Sequence, residues 1–158
     1  MAEIKDAENT LVLETSKGNV VIEMRPDLAP GHVKRIKELA RQGFYNGVKF
    51  HRVIDGFMAQ TGDPRGDGTG GSGQKLKAEF SDEKHSRGAV SMARAQSPDS
   101  GDSQFFICLA EVPHLNRQYT LWGRVIEGME TVDAIQKGEP PKNPDTIVKM
   151  RVAADAAA

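Results

Sequence analysis

The apolar runs of this chain are short, and turn signals cut between them. LVLETSKGNVVIEM (11–24) sets two β-rich runs around Ser16-Lys17-Gly18-Asn19. VKFHRVI (48–54) and FMAQT (57–61) flank Asp55-Gly56, a strong hairpin signal. Further short strands are predicted at 88–93, 104–109, 120–126 and 146–152. Helical spacing occurs twice. Val33, Ile36, Leu39 and Ala40 recur after Asp27-Leu28-Ala29-Pro30, with Asp27 as the cap, Pro30 in the first turn and Gly43 as the stop. Met129, Val132 and Ile135 share one face of 128–137. About eight short strands and two helices, with turns at intervals of roughly 8–15 residues, predict a closed β-barrel or a sandwich with helices packed outside.

A chain of 158 residues, 38% hydrophobic and 27% charged, sustains one domain. Its formal net charge is -1 and no long run of like charges occurs, so the basic footprint of a nucleic-acid partner is missing. No apolar segment is long enough to span a membrane. MAEIKDAENT carries charges where a signal peptide needs an apolar run. Cys108, the single cysteine, cannot form an internal disulfide. These features fit a cytoplasmic protein, and nothing points beyond a monomer. Pro140, Pro141 and Pro144 make a stiff connection before the last strand.

Several spellings are decoys. GDGTGGSG lacks the Gly-Lys-Ser/Thr ending of a phosphate loop. Asp63, Asp67 and Gly68 echo a calcium loop, but Arg65 and Gln74 stand where carboxylates belong. Ser103 has no nucleophile elbow around it, which argues against a serine hydrolase. Cys108 in QFFICL reads as a small buried hydrophobe. No His/Cys/Asp/Glu cluster has metal spacing, and no cofactor is expected. A reaction that breaks no bond to hydrogen and forms no covalent intermediate needs none of this apparatus.

One stretch asks for a different explanation. Residues 50–63 read FHRVIDGFMAQTGD, with Arg52 among Phe50, Val53, Ile54, Phe57 and Met58. An arginine there faces water, or it stands at the edge of an apolar pocket with a task. The stretch resembles the cyclophilin signature F-H-R-V-I-x-G-F-M-x-Q-x-G-D. SMARAQSPDSGDSQFFICLA (91–110) resembles the same family's S-M-A-x-A…S-Q-F-F-I, and GDGTGGSG resembles its glycine loop. EFSDEKHSRGAVSMA, Gly43-Phe44-Tyr45 and Val125-Ile126-Glu127-Gly128 also match in order. The resemblance covers roughly residues 10–152 and, in M-A-R-A-Q-S-P, is nearest to single-domain bacterial members. It implies a closed eight-stranded antiparallel β-barrel capped by two α-helices, and peptidyl-prolyl cis-trans isomerase activity on proline-containing peptides and folding proteins.

That activity has simple needs. The X-Pro amide is held planar by resonance, with a barrier of about 18–20 kcal/mol. Halfway round, the prolyl nitrogen regains its lone pair. An enzyme that binds this twisted state better than either planar one speeds the exchange. The resemblance implies Arg52 as the donor to the rotating amide, which suits an always-charged planar group. It implies Phe57, Met58, Phe106 and Leu115 as the proline socket, whereas Phe105, the strand neighbour of Phe106, faces the core. It implies that Gln60 bonds the substrate backbone and helps hold Arg52, that Gln104, on the strand face of Phe106, binds substrate, that Ala93, Arg94 and Ala95 align the peptide, and that Gly68 edges the groove. Departures matter too. His114 stands where a cyclosporin-contacting tryptophan stands in the best-known eukaryotic members, so cyclosporin binding is expected to be weak. Tyr119 replaces a pocket histidine, and Arg94 replaces an asparagine and favours acidic residues near the proline. Trp122 matches a barrel-core aromatic, and His51 reads as structural. The competing reading is a proline-binding or chaperone module with little turnover.

Overall fold

A computed structural model describes residues 6–66 and 70–155. Strands β1 (Thr10–Thr15), β2 (Gly18–Met24), β3 (Arg52–Ile54), β4 (Met58–Thr61), β5 (Ala89–Met92), β6 (Phe105–Cys108), β7 (Leu121–Glu127) and β8 (Ile147–Val152) form one antiparallel sheet. Its order is β3-β4-β6-β5-β7-β2-β1-β8. Alternation sorts the side chains to two faces. Phe105 and Ile107 join Leu11, Ile22, Phe50 and Trp122 in the main core. Phe106 and Cys108, between and beside them in sequence, join a smaller cluster with Met58, Leu115 and Leu121 on the other face.

The sheet is strongly curled, but its ladder does not close, contrary to the expected closed barrel. β3 and β8 stand at the two ends of the order. Across that seam run isolated bridges, Lys49 to Thr146 and Val53 to Gly138. The first is made by two bonds on either side of the pair: the Phe50 amide donates to the Asp145 carbonyl at 2.8 Å, and the Ile147 amide to the Val48 carbonyl at 2.8 Å. The predicted strand 48–54 therefore pairs in a ladder only from Arg52. The segment facing it carries Pro140, Pro141 and Pro144, which have no N–H to give a ladder.

Helix α1 (Pro30–Arg41) buries His32, Val33, Ile36, Leu39 and Ala40. Gly43, at φ +73°, ends it as expected. The Gly43 amide bonds the Ala40 carbonyl and the Phe44 amide the Leu39 carbonyl, the paired bonds of a left-handed helix stop. The start differs from expectation. Asp27 does not cap; its carboxylate takes the Arg25 guanidinium at 2.8 and 3.0 Å. Ala29 occupies the cap position and has no acceptor to offer. Glu79 supplies one from outside. Its carboxylate accepts the Gly31 amide at 3.1 Å, the His32 amide at 2.8 Å and His32 Nδ1 at 2.6 Å. A charged acceptor at a helix start is worth about 1–2 kcal/mol.

The second helix, α2 (Met129–Asp133), is shorter than the predicted 128–137. Its continuation is diverted: the Gln136 amide bonds the Asp145 carboxylate at 2.8 Å instead of a carbonyl one turn back. Val132 and Ile135 are nevertheless buried, as their spacing predicts.

Burial lowers the pKa of His32 despite the adjoining Glu79 carboxylate, and it lowers that of His85 too. Burial also opposes the charge on Glu79, but its His32 and backbone donors outweigh that and hold the carboxyl below its ordinary range. For both histidines the unfolded chain binds more protons than the folded one. The folded state is then fully stable above pH about 6.5 and weakens as pH falls through that value toward the folded pKa values. We expect the unfolding free energy, from urea melts at pH 7.5 to 5, to decline. His32→Gln and His85→Gln should each flatten the decline. A pH-independent midpoint over that range would contradict both assignments.

Candidate active site

Strand register builds a row of side chains across the sheet. Arg52 on β3 is opposite Gln60 on β4, Gln60 is opposite Phe106 on β6, and Phe106 is opposite Ser91 on β5. Directly opposed residues share a face, so the row lies on the side of the smaller apolar cluster. Met58 is two residues before Gln60, and Gln104 two before Phe106, which brings both to the same side.

A cavity of about 120 Å³ opens over this row. Arg52, Phe57, Met58, Gln60, Ala93, Arg94, Phe106, Leu115 and Tyr119 line it. Phe106 is its best-buried ring, at 4% exposure. The Tyr119 ring meets Phe106 edge-on at 5.6 Å, and the His85 ring lies nearly parallel to it at 6.3 Å. His85 is held in turn. Its amide and Nδ1 both point at Asn116 Oδ1, at 2.7 and 3.3 Å, and its Nε2 is 2.8 Å from Ser91 Oγ. An amide oxygen only accepts, so the hydrogen-bond network assigns the proton to Nδ1 and makes Nε2 the acceptor of the Ser91 hydroxyl. Nothing local in the sequence singles out His85 for this role.

Arg52 answers the question its context raises. Its side chain is 44% exposed, so it is neither buried nor free in water. Nη1 donates to Gln60 Oε1 at 3.4 Å and Nε donates to Glu139 Oε1 at 3.2 Å. Gln60 Nε2 donates to Gln104 Oε1 at 2.9 Å, and Gln104 Nε2 to the Gly70 carbonyl at 3.0 Å. The guanidinium thus stands at the cavity rim at the end of a chain of amide side chains.

The remaining sequence-predicted residues fall nearby or outside. Arg94 lines the cavity, but its guanidinium is engaged with the Gln118, Ala95 and Gln96 carbonyls and lies 4.7 Å over the Tyr119 ring. His114 is exposed on the short turn Pro113–Leu115, its ring 6.0 Å from that of Phe57. Ala95 and Gln104 line an adjoining groove of about 540 Å³ rather than the cavity itself. Gly68 lies outside the described residues. The groove also brings in Arg65, Lys75, Ser100 and Asp102, which the sequence analysis did not assign. Asp102 is turned to the glycine loop, where its carboxylate accepts the Ser72 hydroxyl and the Ser72 and Gly73 amides.

The Ser103 hydroxyl is fully buried and donates to the Gly62 carbonyl at 2.7 Å. Cys108 is fully buried, and burial pushes its thiol up to about 12. Among the described residues no three His, Cys, Asp or Glu gather to hold a metal, and no helix is long and apolar enough to cross a membrane.

A guanidinium thus stands at the rim of a ring-walled socket on one face of a curled antiparallel sheet. The fold is shared with the peptidyl-prolyl isomerases. The family model for the cyclophilin type peptidyl-prolyl cis-trans isomerases matches residues 10–152. A probable peptidyl-prolyl cis-trans isomerase of Brucella suis is 52% identical over 171 residues, which cover 98% of this chain and 87% of that protein. The cyclophilin AquaCyp293 from Hirschia baltica superposes with a TM-score of 0.88 at 32% identity, over 95% of this chain and 76% of that one. A cyclophilin type isomerase of Cryptosporidium parvum, crystallised in the presence of the dipeptide Ala-Pro, superposes with a TM-score of 0.84 at 31% identity, over 90% and 98% of the two chains. The chain belongs to the cyclophilins and is a peptidyl-prolyl cis-trans isomerase.

Because the thiolate is the reactive form, the buried Cys108 should resist alkylation in the native protein. We expect iodoacetamide labelling at pH 8 to run at least about 100-fold slower than in 6 M guanidinium, as followed by intact mass. Equal rates would contradict the burial described here.

Proposed function

We propose that the cavity over the transverse row is where the X-Pro bond turns, with Arg52 the group that stabilises the twisted amide. The observation that carries this is the register itself. It sets the guanidinium and the Phe106 ring on one face, separated only by Gln60. A proline ring enters the socket of Phe57, Met58, Phe106 and Leu115, with the Tyr119 ring at its side. Socket and polar rim together hold the proline side of the amide still while the other side rotates. As resonance is lost, the prolyl nitrogen becomes an acceptor and the Arg52 N–H groups meet it. The contact is stronger in the twisted state than in either planar one, and only that difference accelerates the reaction. No proton is transferred and no covalent intermediate forms.

The substrates in this reading are proline-containing peptides and folding proteins. Ala93, Arg94, Ala95 and Gln104 align the flanking backbone, with the adjoining groove beside them. Gly68 edges it by resemblance alone. Arg65, Lys75 and Arg94 line the cavity and groove, while the carboxylate of Asp102 is already held by three donors, which favours an acidic residue near the proline. His114, beside Phe57, offers less contact area than an indole, which supports weak cyclosporin binding. The protein acts as a cytoplasmic monomer of one domain.

The decisive test is cis-trans exchange of an Ala-Pro peptide followed by NMR. Wild type should accelerate it strongly, and folded Arg52→Ala should lose about 100-fold, the usual cost of removing one transition-state donor. Broadening by wild type with exchange left at the uncatalysed rate would instead show a proline-binding module. A second panel varies charge. Peptides with Glu near the proline should give a kcat/KM about 2–5-fold above those with Lys, and the gap should shrink in 0.5 M salt. Equal values at low salt would remove the charge preference.

A further inference from the structure

The transverse row does not end at Arg52. Val53 and Gly138 exchange both backbone bonds across the seam, each at 2.8 Å. In an antiparallel pair this register sets the residue after Gly138 opposite the residue before Val53. That residue is Glu139, and its carboxylate meets Arg52 Nε at 3.2 Å. Gly138 fixes the approach. Its φ is +144°, and a Cβ there would stand 2.6 Å from the Pro141 Cα, so the backbone admits glycine alone. The Gly-Glu-Pro-Pro stretch, which reads in the sequence only as a stiff connection, thus delivers a carboxylate to the arginine from the far side of the seam.

Resting on the proposed role of Arg52, we infer that Glu139 is a positioning residue for the isomerase reaction: it holds the back edge of the guanidinium so that the remaining N–H groups face the proline cavity. The edges of the group are divided between partners. Nε takes Glu139 and Nη1 takes Gln60. Arg52 lines the cavity and Glu139 does not, so the carboxylate leaves the cavity itself open. Without it, a long side chain 44% exposed would sample many rotamers, and ordering it would fall within the barrier to rotation. A carboxylate that competed with substrate for Arg52 would instead sit among the cavity-lining groups.

The test compares wild type, Glu139→Ala, Glu139→Gln, Arg52→Ala and the Glu139→Ala/Arg52→Ala double variant. Exchange of Ala-Pro peptides by NMR yields kcat and KM. Both residues of this exposed pair are charged, so the effect is modest, at about 3–5-fold. We expect Glu139→Ala to lower kcat by that factor with KM and melting temperature unchanged. Glu139→Gln, whose side-chain oxygen still accepts from Nε, should keep most of the activity. In the Arg52→Ala background, removing Glu139 should have no further effect. The Arg52 Nε–H signal should exchange with water faster in Glu139→Ala than in wild type.

Unchanged kcat in Glu139→Ala, a raised kcat, a loss confined to KM, or a loss that persists without Arg52 would each overturn the inference. Arg52→Ala as active as wild type would overturn the reading of Arg52 first. Arg52→Ala inactive beside a fully active Glu139→Ala would overturn the positioning role alone.

Discussion

The site depends on strand register more than on any single contact. Arg52, Gln60 and Phe106 come from three strands, and they meet because β3, β4 and β6 pair without a slip. Side chains alternate with a period of two, so a shift of one residue between β4 and β6 would send Phe106 into the main core and turn Phe105 toward the cavity. The two apolar clusters forbid this. Phe105 is packed edge-on against Tyr45 and Trp122, and Phe106 against Tyr119, with His85 stacked behind it. Each ring is wanted on its own side, and the positions of the functional groups follow.

That arrangement explains why a reaction with a high barrier is left to so little equipment. Rotation about an amide needs no acid, base or metal, only a surface that prefers the twisted form. Such a surface must be rigid where the ring sits. Phe106 is held by aromatic partners on two sides, and His85 by Asn116 and Ser91. The long polar side chains at the rim are steadied by one another, through Gln60, Gln104 and the Gly70 carbonyl.

Much of this was legible from the chain alone where the determinants are local. Short apolar runs between turn signals located all eight strands, Asp55-Gly56 located the hairpin under Arg52, and the neighbours Phe105 and Phe106 were separated by alternation. What escaped was set by residues distant in sequence. The cap of α1 comes from Glu79, 47 residues beyond His32, so Asp27 looked like the cap when it was Arg25's partner. α2 stops early because Asp145 claims the Gln136 amide. Barrel closure is a property of the seam, where prolines withhold donors, and no strand pattern records it. The groove residues Arg65 and Lys75 and the seam residue Glu139 are ordinary charged side chains until the fold brings them to the site.

The incomplete seam also divides the molecule by stiffness. β6 lies between β4 and β5 and is paired on both sides, whereas β3 is three residues long, has a ladder partner only in β4, and meets the far edge through isolated bonds. Segments with few paired backbone groups open at lower free energy than the strands around them. The floor of the socket is therefore anchored in the interior of the ladder, while the arginine rides on its loose margin. That difference would leave its mark in amide hydrogen exchange, fast along β3 and slow along β6.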